Sequence, residues 1–430
     1  MKNKIFIIGS VSLALVLAFL ILVFVSGPSR SRAQTSFPEG ATVGPAVEDK
    51  FDNGPITKEI LADQLGAAIR GNEFPQHFSL KIDGRDHPTT VTYTINDSFQ
   101  TMMSKLLNQY KPDYGAFVAI DAKTGRVLSL VSYSHSHGDL ENLALRASFP
   151  AASVFKIVTA SAAIDMNKVA PGTDVPFNGA LHTLYKRNVE STVFNRWTRH
   201  MTMREAFARS VNVIFSKLGL FYVGPQSLQM YAERYFFNHQ IRADMPVQIG
   251  YAKFSPDDPW SVATAASGYT RDNTMSPVHG ALIAAAVAND GVMMEPYLVD
   301  HLTADSGEVI YRGHPRQASV VVEPQSAETL RELFHETVRS GTSRKSFRAT
   351  SRKSMYGEVE FGGKTGSLTG TDPAGKCDWF VGYARYRDQR IAVAALTVNE
   401  TKWKIKASML SNLFFQRYIK DTKKAESEEE

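Results

Sequence analysis

The stretch Pro150-Ala-Ala-Ser153-Val-Phe-Lys156, with the run behind it, constrains this chain more than any other feature. Phe155, Ile157, Val158, Ala160, Ala162, Ala163 and Ile164 surround most of a helix, and a helix apolar on nearly every side belongs inside a domain. Ser153 and Lys156 are three residues apart and share one face of its first turn. A hydroxyl and an amine therefore stand side by side where water is scarce. An N-cap serine followed by a solvated lysine would explain the pair taken alone. Two further segments point to chemistry instead. Ser210-Val211-Asn212 lies within Arg204-Glu-Ala-Phe-Ala-Arg-Ser-Val-Asn-Val-Ile-Phe, and Lys364-Thr365-Gly366-Ser367 follows Val359-Glu-Phe-Gly-Gly. Ser153 opens the only S-x-x-K in the chain, and three such motifs in this order mark acyl-serine enzymes.

On these residues the chain resembles the transpeptidase domain of the penicillin-binding proteins, from about Val91 to about Tyr418. The likeness extends to Tyr114-Gly-Ala-Phe-Val-Ala-Ile-Asp-Ala-Lys-Thr-Gly-Arg-Val-Leu, to Met275-Ser-Pro-Val-His-Gly-Ala-Leu-Ile-Ala-Ala-Ala-Val, and to Asp378-Trp-Phe-Val-Gly-Tyr-Ala. The resemblance implies an α+β/α/β chain with the penicillin-binding/β-lactamase-like transpeptidase fold, an antiparallel sheet flanked by helices plus an all-helical subdomain. It also implies one large domain where length alone would suggest two or three. The expected organisation is a cytoplasmic tip and anchor at 1–26, a stalk and short N-terminal segment at 27–90, the catalytic domain at 91–420 and a disordered tail at 421–430.

Ile5 to Val25 is an apolar run long enough, at roughly 1.5 Å per residue, to cross a hydrocarbon core of about 30 Å. Val25-Ser-Gly-Pro-Ser-Arg is a poor cleavage site, which favours an uncleaved single-pass anchor over a signal peptide. Lys2 and Lys4 on one side and Arg30 and Arg32 on the other leave the charge bias weak. The implied function sets the orientation: the catalytic domain faces outward from the bacterial cytoplasmic membrane, on its periplasmic or extracellular side. Gly27 to about Pro55 reads as a flexible stalk and Gly71 to Thr90 as polar chain with a turn at Asp83-Gly-Arg-Asp. That region is too short for a glycosyltransferase domain, so a monofunctional enzyme is expected.

The net charge of +5 comes from dispersed lysines and arginines with no nucleic-acid motif. The single cysteine, Cys377, excludes an intrachain disulfide and reads as a half-buried strand thiol. His135 and His137 alternate on a loop without a third ligand, so no metal and no cofactor are expected. A second Lys-Thr-Gly, at Lys123, falls in Asp121-Ala-Lys-Thr-Gly-Arg between two strand patterns and reads as turn chemistry, with Gly125 supplying a positive φ.

The resemblance assigns roles. Ser153 is the nucleophile and Lys156 its base. An unperturbed lysine is neutral only about once in 2,500 molecules at pH 7, so burial and the charge of Lys364 must lower its pKa. Ser210 relays the proton to the departing amine, Asn212 binds the stem-peptide backbone and Lys364 stabilises charge. Thr365, Gly366 and Ser367 bind substrate, with the hydroxyls of Thr365 and Ser367 on its terminal carboxylate, and the N–H groups of Ser153 and Ser367 form the oxyanion hole. Serine stands at 367 where the family more often has threonine, which bears on substrate preference. The implied reaction is D,D-transpeptidation of peptidoglycan stem peptides, with β-lactams as covalent inhibitors and a cell-wall synthesis complex as its setting. Three alternatives share much of this pattern: a D,D-carboxypeptidase, an oxacillinase-type β-lactamase, which would have Val at Asn212, and an inactive envelope scaffold, which would have lost motif residues.

Overall fold

The structure, a computed structural model, describes residues 56–135 and 141–429. The apolar run 5–25, the stalk to residue 55 and His137 lie outside them. Among the described residues no helix is long and apolar enough to cross a membrane.

Apolar β-branched and aromatic residues build a five-stranded antiparallel sheet at the centre. Its strands stand in the order Glu360–Thr371, Ala374–Tyr386, Gln389–Asn399, Tyr114–Asp121, Val127–Ser134. Alternation along each strand divides the side chains between two cores. Ala116, Val118, Ile120, Trp379, Val381 and Ala394 face one core, and Phe117, Ala119, Phe380, Val393 and Ala395 face the other. Each fully buried Val, Leu, Ile or Phe contributes roughly 1.5–3 kcal/mol, so both faces must be covered.

The helix Pro277–Ala288 covers the first face, with all of its residues buried. Ser276 caps it by accepting from the His279 N–H at 3.1 Å. Gly280 lies where a Cβ would come within 3.2 Å of Val381 and 3.3 Å of Ala394, so helix and sheet meet closely there. The nucleophile helix Lys156–Asp165 packs into the same core, against the helices Pro225–Arg234, Pro259–Ser267 and Pro324–Arg339.

The second face is covered by Asp97–Tyr110 and by the C-terminal helix Ala407–Glu429. Phe414 and Phe415 seat the last helix on the side of the sheet opposite the helix Lys156–Asp165. It also runs through Glu429, where 421–430 was expected to be disordered. Ion pairs one turn apart, Arg417–Asp421 and Lys424–Glu428, support the extension, and Arg387 and Tyr386 both hold Glu426 at 3.2 Å.

The N-terminal boundary expected at residue 90 falls inside a strand. His77–Ile82 and Arg85–Tyr93 form a hairpin at Asp83-Gly84 and join Val299–Ala304 and Val309–Arg312 in a four-stranded sheet. Ile56, Leu61, Leu65, Leu80 and Val91 belong to the main core. Nor is the helical region all-helical: Asp174–Phe177 and Arg199–Thr202 pair as a two-stranded ribbon. Cys377 is fully buried in its strand, and burial pushes its thiol up to about 12.

Candidate active site

Ser153 sits in a single 3₁₀ turn, Ala152–Phe155, that leads directly into the helix Lys156–Asp165. Its hydroxyl caps no backbone N–H. Lys156 Nζ instead lies 2.8 Å from Ser153 Oγ, and also 2.7 Å from Asn212 Oδ1 and 2.5 Å from the Ser267 carbonyl oxygen. These three contacts accommodate the neutral amine that a general base requires. A neutral amine has two N–H donors and one lone pair. In that form the Asn212 Oδ1 and the Ser267 carbonyl oxygen, which only accept, take the two donors, and the lone pair is free for the Ser153 O–H. Complete burial, and then the positive charge of Lys364, hold the Lys156 pKa well below the ordinary lysine range.

Ser210-Val-Asn212 joins the helices Met203–Ala208 and Asn212–Lys217. Ser210 has φ 57°, a left-handed conformation that costs a non-glycine residue of order 1–3 kcal/mol. It turns the hydroxyl to Lys364 Nζ, 2.8 Å away. Ala152, just before the nucleophile, is also left-handed at φ 50°. Asn212 spends its oxygen on Lys156 and one N–H on the His182 carbonyl at 2.5 Å. Its first task is to hold the lysine, and only its second N–H is left for a substrate backbone.

Lys364 lies within the strand Glu360–Thr371. Besides Ser210 it donates to the Thr365 carbonyl at 2.8 Å, and burial brings its pKa down to about 7. Glu360–Thr371 is an edge strand, so one row of its backbone groups faces the cleft instead of a neighbouring strand. Gly362 and Gly363 make room for the sheet's own packing. A Cβ at Gly362 would strike Tyr383 and Phe334, and one at Gly363 would strike Phe380. Close approach occurs at Gly366, where a Cβ would come within 3.2 Å of the Ala151 carbonyl and the Val154 N–H.

Ser153, Ser210, Asn212, Thr365, Gly366 and Ser367 line one cleft of about 480 Å³. The structure thus brings together every side chain expected there, with Lys156 and Lys364 buried in its floor. Sequence reasoning missed four parts. His182 orients Asn212, and burial lowers its pKa. Thr342 reaches Thr365 across the cleft, Oγ1 to Oγ1 at 2.5 Å. The Ser267 carbonyl accepts from the base. Gly268, at φ 65°, passes so close behind the nucleophile that a Cβ would lie 1.8 Å from the Ala152 carbonyl. Ala-Ser-Gly after an apolar helix offered a helix-stop signal for the last two, though none for their partners. His135 contacts Tyr133 at 3.3 Å, and among the described residues no cluster of metal-ligating side chains is found.

A serine hydroxyl held against a buried amine of lowered pKa, beside an open strand edge, is the apparatus of nucleophilic acyl transfer. The family described as penicillin binding protein transpeptidase domain matches residues 115–415, and the chain belongs to that family. It is 28% identical over 319 residues to the peptidoglycan D,D-transpeptidase PbpA of Mycolicibacterium smegmatis, a match covering 66% of this chain and 62% of that protein. The PbpA of Mycobacterium tuberculosis is also 28% identical, over 74% of this chain and 69% of its own length. The penicillin G acyl-enzyme complex of the M. tuberculosis protein superposes with a TM-score of 0.60 at 25% identity, covering 79% of this chain and 81% of that one.

Proposed function

We propose that this protein is an acyl-serine D,D-transpeptidase that cross-links peptidoglycan stem peptides and is acylated by β-lactams. The observation that carries the reading is the Ser153 hydroxyl 2.8 Å from the amine of a fully buried Lys156, whose other two contacts are the acceptors Asn212 Oδ1 and the Ser267 carbonyl oxygen. Ser153 Oγ attacks the penultimate D-Ala carbonyl while Lys156 takes its proton. The N–H groups of Ser153 and Ser367 receive the developing oxyanion, each such donor being worth about 2.7–4 kcal/mol. Ser210, polarised by Lys364, passes a proton to the departing D-Ala amine, and the C–N bond breaks. An acceptor amine on a second stem then attacks the ester, forming a new C–N bond, breaking the C–O bond and returning the proton to Ser153. The donor strand lies along the open edge of Glu360–Thr371, with its carboxylate at the hydroxyls of Thr365 and Ser367.

The same proposal includes an anchor at residues 5–25 and a catalytic domain on the outer side of the cytoplasmic membrane, beside other wall-synthesis proteins. The apolar run and the site's chemistry support it. Protein lacking residues 1–27 is expected to be soluble and still acylated by penicillin; folded but inert protein would place part of the site in the removed segment.

The decisive experiment incubates the protein with a stem pentapeptide, with and without an acceptor amine, and weighs the products. Acyl transfer to the amine supports transpeptidation, whereas hydrolysis alone in both arms makes the enzyme a carboxypeptidase. Fluorescent penicillin is expected to label wild type and not Ser153→Ala. Labelling at another residue would overturn the nucleophile, and rapid loss of the label by hydrolysis would point to a β-lactamase.

A further inference from the structure

Beyond Ser367 the strand Glu360–Thr371 runs on into a group of charges that the reaction does not use. On the reading proposed above, the donor's terminal carboxylate lies at Thr365 and Ser367, and its reacting carbonyl at the Ser367 N–H. That sets the donor's direction: its chain runs antiparallel to Glu360–Thr371, and its earlier residues lie toward Thr371. Main-chain groups two residues apart on a strand face the same way, so the Thr369 carbonyl opens on the same edge as that of Ser367. It is already taken, because Arg271 Nε donates to it at 2.9 Å. Main-chain pairing with the donor is cut short there, and recognition of its earlier residues passes to side chains.

Two cations flank that position. Arg271 reaches Thr369 from the open edge, and Lys376 is the cross-strand partner of Thr369 on the other side. Lys376, with Asp378 and Lys406, lines the cleft that holds Ser153. The Trp403 ring positions its ammonium: Lys376 Nζ lies 5.1 Å from the ring centroid and Lys406 Nζ lies 3.3 Å from it. Asp378 answers Lys406, pairing with it at 3.3 Å while accepting from the Ala407 N–H at 2.9 Å. Asp272, next to Arg271 in the chain, accepts from the Thr270 hydroxyl at 2.7 Å, and Asp372 pairs with Arg146. Among the described residues no carboxylate lies within ion-pair distance of Arg271 or Lys376. Two cations from different segments, on either side of one strand residue and without a counter-charge, attract an anion.

We infer that Arg271 and Lys376 form a donor subsite that selects stem peptides carrying a free carboxylate two residues before the acylated D-Ala. The spacing follows from the register. With the acylated residue opposite Ser367, the residue two before it comes opposite Thr369, between the two cations. Both side chains bind substrate and touch none of the reacting atoms. The inference rests on the transpeptidase reading, and the test separates the two.

The test uses the full chain and two donors, L-Ala-D-Glu-L-Lys-D-Ala-D-Ala linked through the glutamate γ-carboxyl, and its D-isoglutamine counterpart. They differ only in whether the free α-carboxyl of the second residue is a carboxylate or an amide. D-Ala released from each is quantified by mass, which counts transfer and hydrolysis alike. Wild type is expected to use the carboxylate donor with a kcat/KM higher by on the order of tenfold, the difference expected for one hydrogen bond to a charged group. The ratio compares two donors on one protein, so it does not depend on the fraction of active enzyme. Lys376→Met should bring the ratio close to parity, Arg271→Met should lower it, and Lys376→Arg, which keeps the charge, should retain most of it. Equal use of both donors by wild type, a preference for the amide, or an unchanged ratio in either Met variant overturns the subsite. The transpeptidase reading survives those results, because D-Ala is still released. If neither donor releases D-Ala while benzylpenicillin acylates Ser153, the stem peptide is not the substrate and both readings fall.

Discussion

The chain contains Lys-Thr-Gly twice, and the structure gives the two copies opposite environments. Lys123 sits in the turn between the strands Tyr114–Asp121 and Val127–Ser134, where Asp121 Oδ1 accepts from the N–H groups of Lys123 at 2.9 Å and Thr124 at 3.0 Å. Its ammonium reaches Asp388 at 2.5 Å, with both side chains open to water. Lys364 is fully buried and donates to Ser210. The glycines differ in the same way. Gly125 is left-handed at φ 81°, and a Cβ there would lie 2.1 Å from the Glu295 carbonyl, whereas Gly366 stays in an extended strand and gives room to the nucleophile's backbone. Three identical residues make a turn in one place and a catalytic edge in the other. The difference comes from what each is packed against.

The largest effect that tests this contrast lies at the base Lys364 faces. Lys156→Arg keeps the charge and abolishes the lone pair, because guanidinium does not deprotonate in the accessible range. Acylation by a chromogenic β-lactam is expected to fall about 10³-fold, within the span of general-base contributions. Retention of more than a tenth of the wild-type rate would remove Lys156 from that role.

Next comes the lysine of the second triplet. Lys364→Ala takes a buried cation from beside Ser210, and second-order acylation should drop at least 10²-fold, about 2.7 kcal/mol. An equal or larger loss in Lys123→Ala would reverse the assignment of the two triplets and remove the oxyanion role given to Ser367.

The pH profile tests the same pair without mutation. Lys156 must be neutral, and its pKa is held well below the ordinary lysine range, so the acid limb lies far below that range. Lys364 must be charged, and its pKa is about 7, so acylation of the free enzyme falls as pH rises through about 7. A bound substrate carboxylate favours the ammonium and should move that limb upward at saturation. An alkaline limb that stays fixed on saturation would show that Lys364 does not face the carboxylate. Folding has its own dependence. Because the folded pKa of Lys364 is lowered, the unfolded chain binds the extra proton between about pH 7 and the unfolded value near 10.4, and stability rises with pH across that window. Lys364→Met should flatten the rise in a denaturant titration.

In the turn the glycine matters and the lysine does not. Gly125→Ala forces a Cβ into the Glu295 carbonyl at a positive φ, and should cost about 1–3 kcal/mol of stability while the folded fraction acylates normally. Lys123→Ala, the smallest effect, should move Tm by less than about 2 °C and leave acylation unchanged. A large loss of stability there would mean that the exposed pair with Asp388 anchors the hairpin.

What the sequence determined by itself was the chemistry and the side chains that bear it. Ser153, Lys156, Ser210, Asn212, Lys364 and Ser367 were legible because their types recur in a fixed order, and the all-apolar helices because their burial follows from composition alone. The tertiary structure decided what depends on backbone and on distant neighbours. The Ser267 carbonyl that accepts from Lys156 has no side-chain signature, and neither have the left-handed turns at Ala152 and Ser210. The hairpin 77–93 is mostly polar and exposed on its outer side, so its period of two was too weak to read, and its pairing with 299–304 spans two hundred residues. The end of the last helix rests on Arg387 and Tyr386, which only folding brings to Glu426. Local sequence can specify a residue's chemistry, but its pKa, its partners and the meaning of a repeated Lys-Thr-Gly arise from desolvation and contacts that the fold alone supplies.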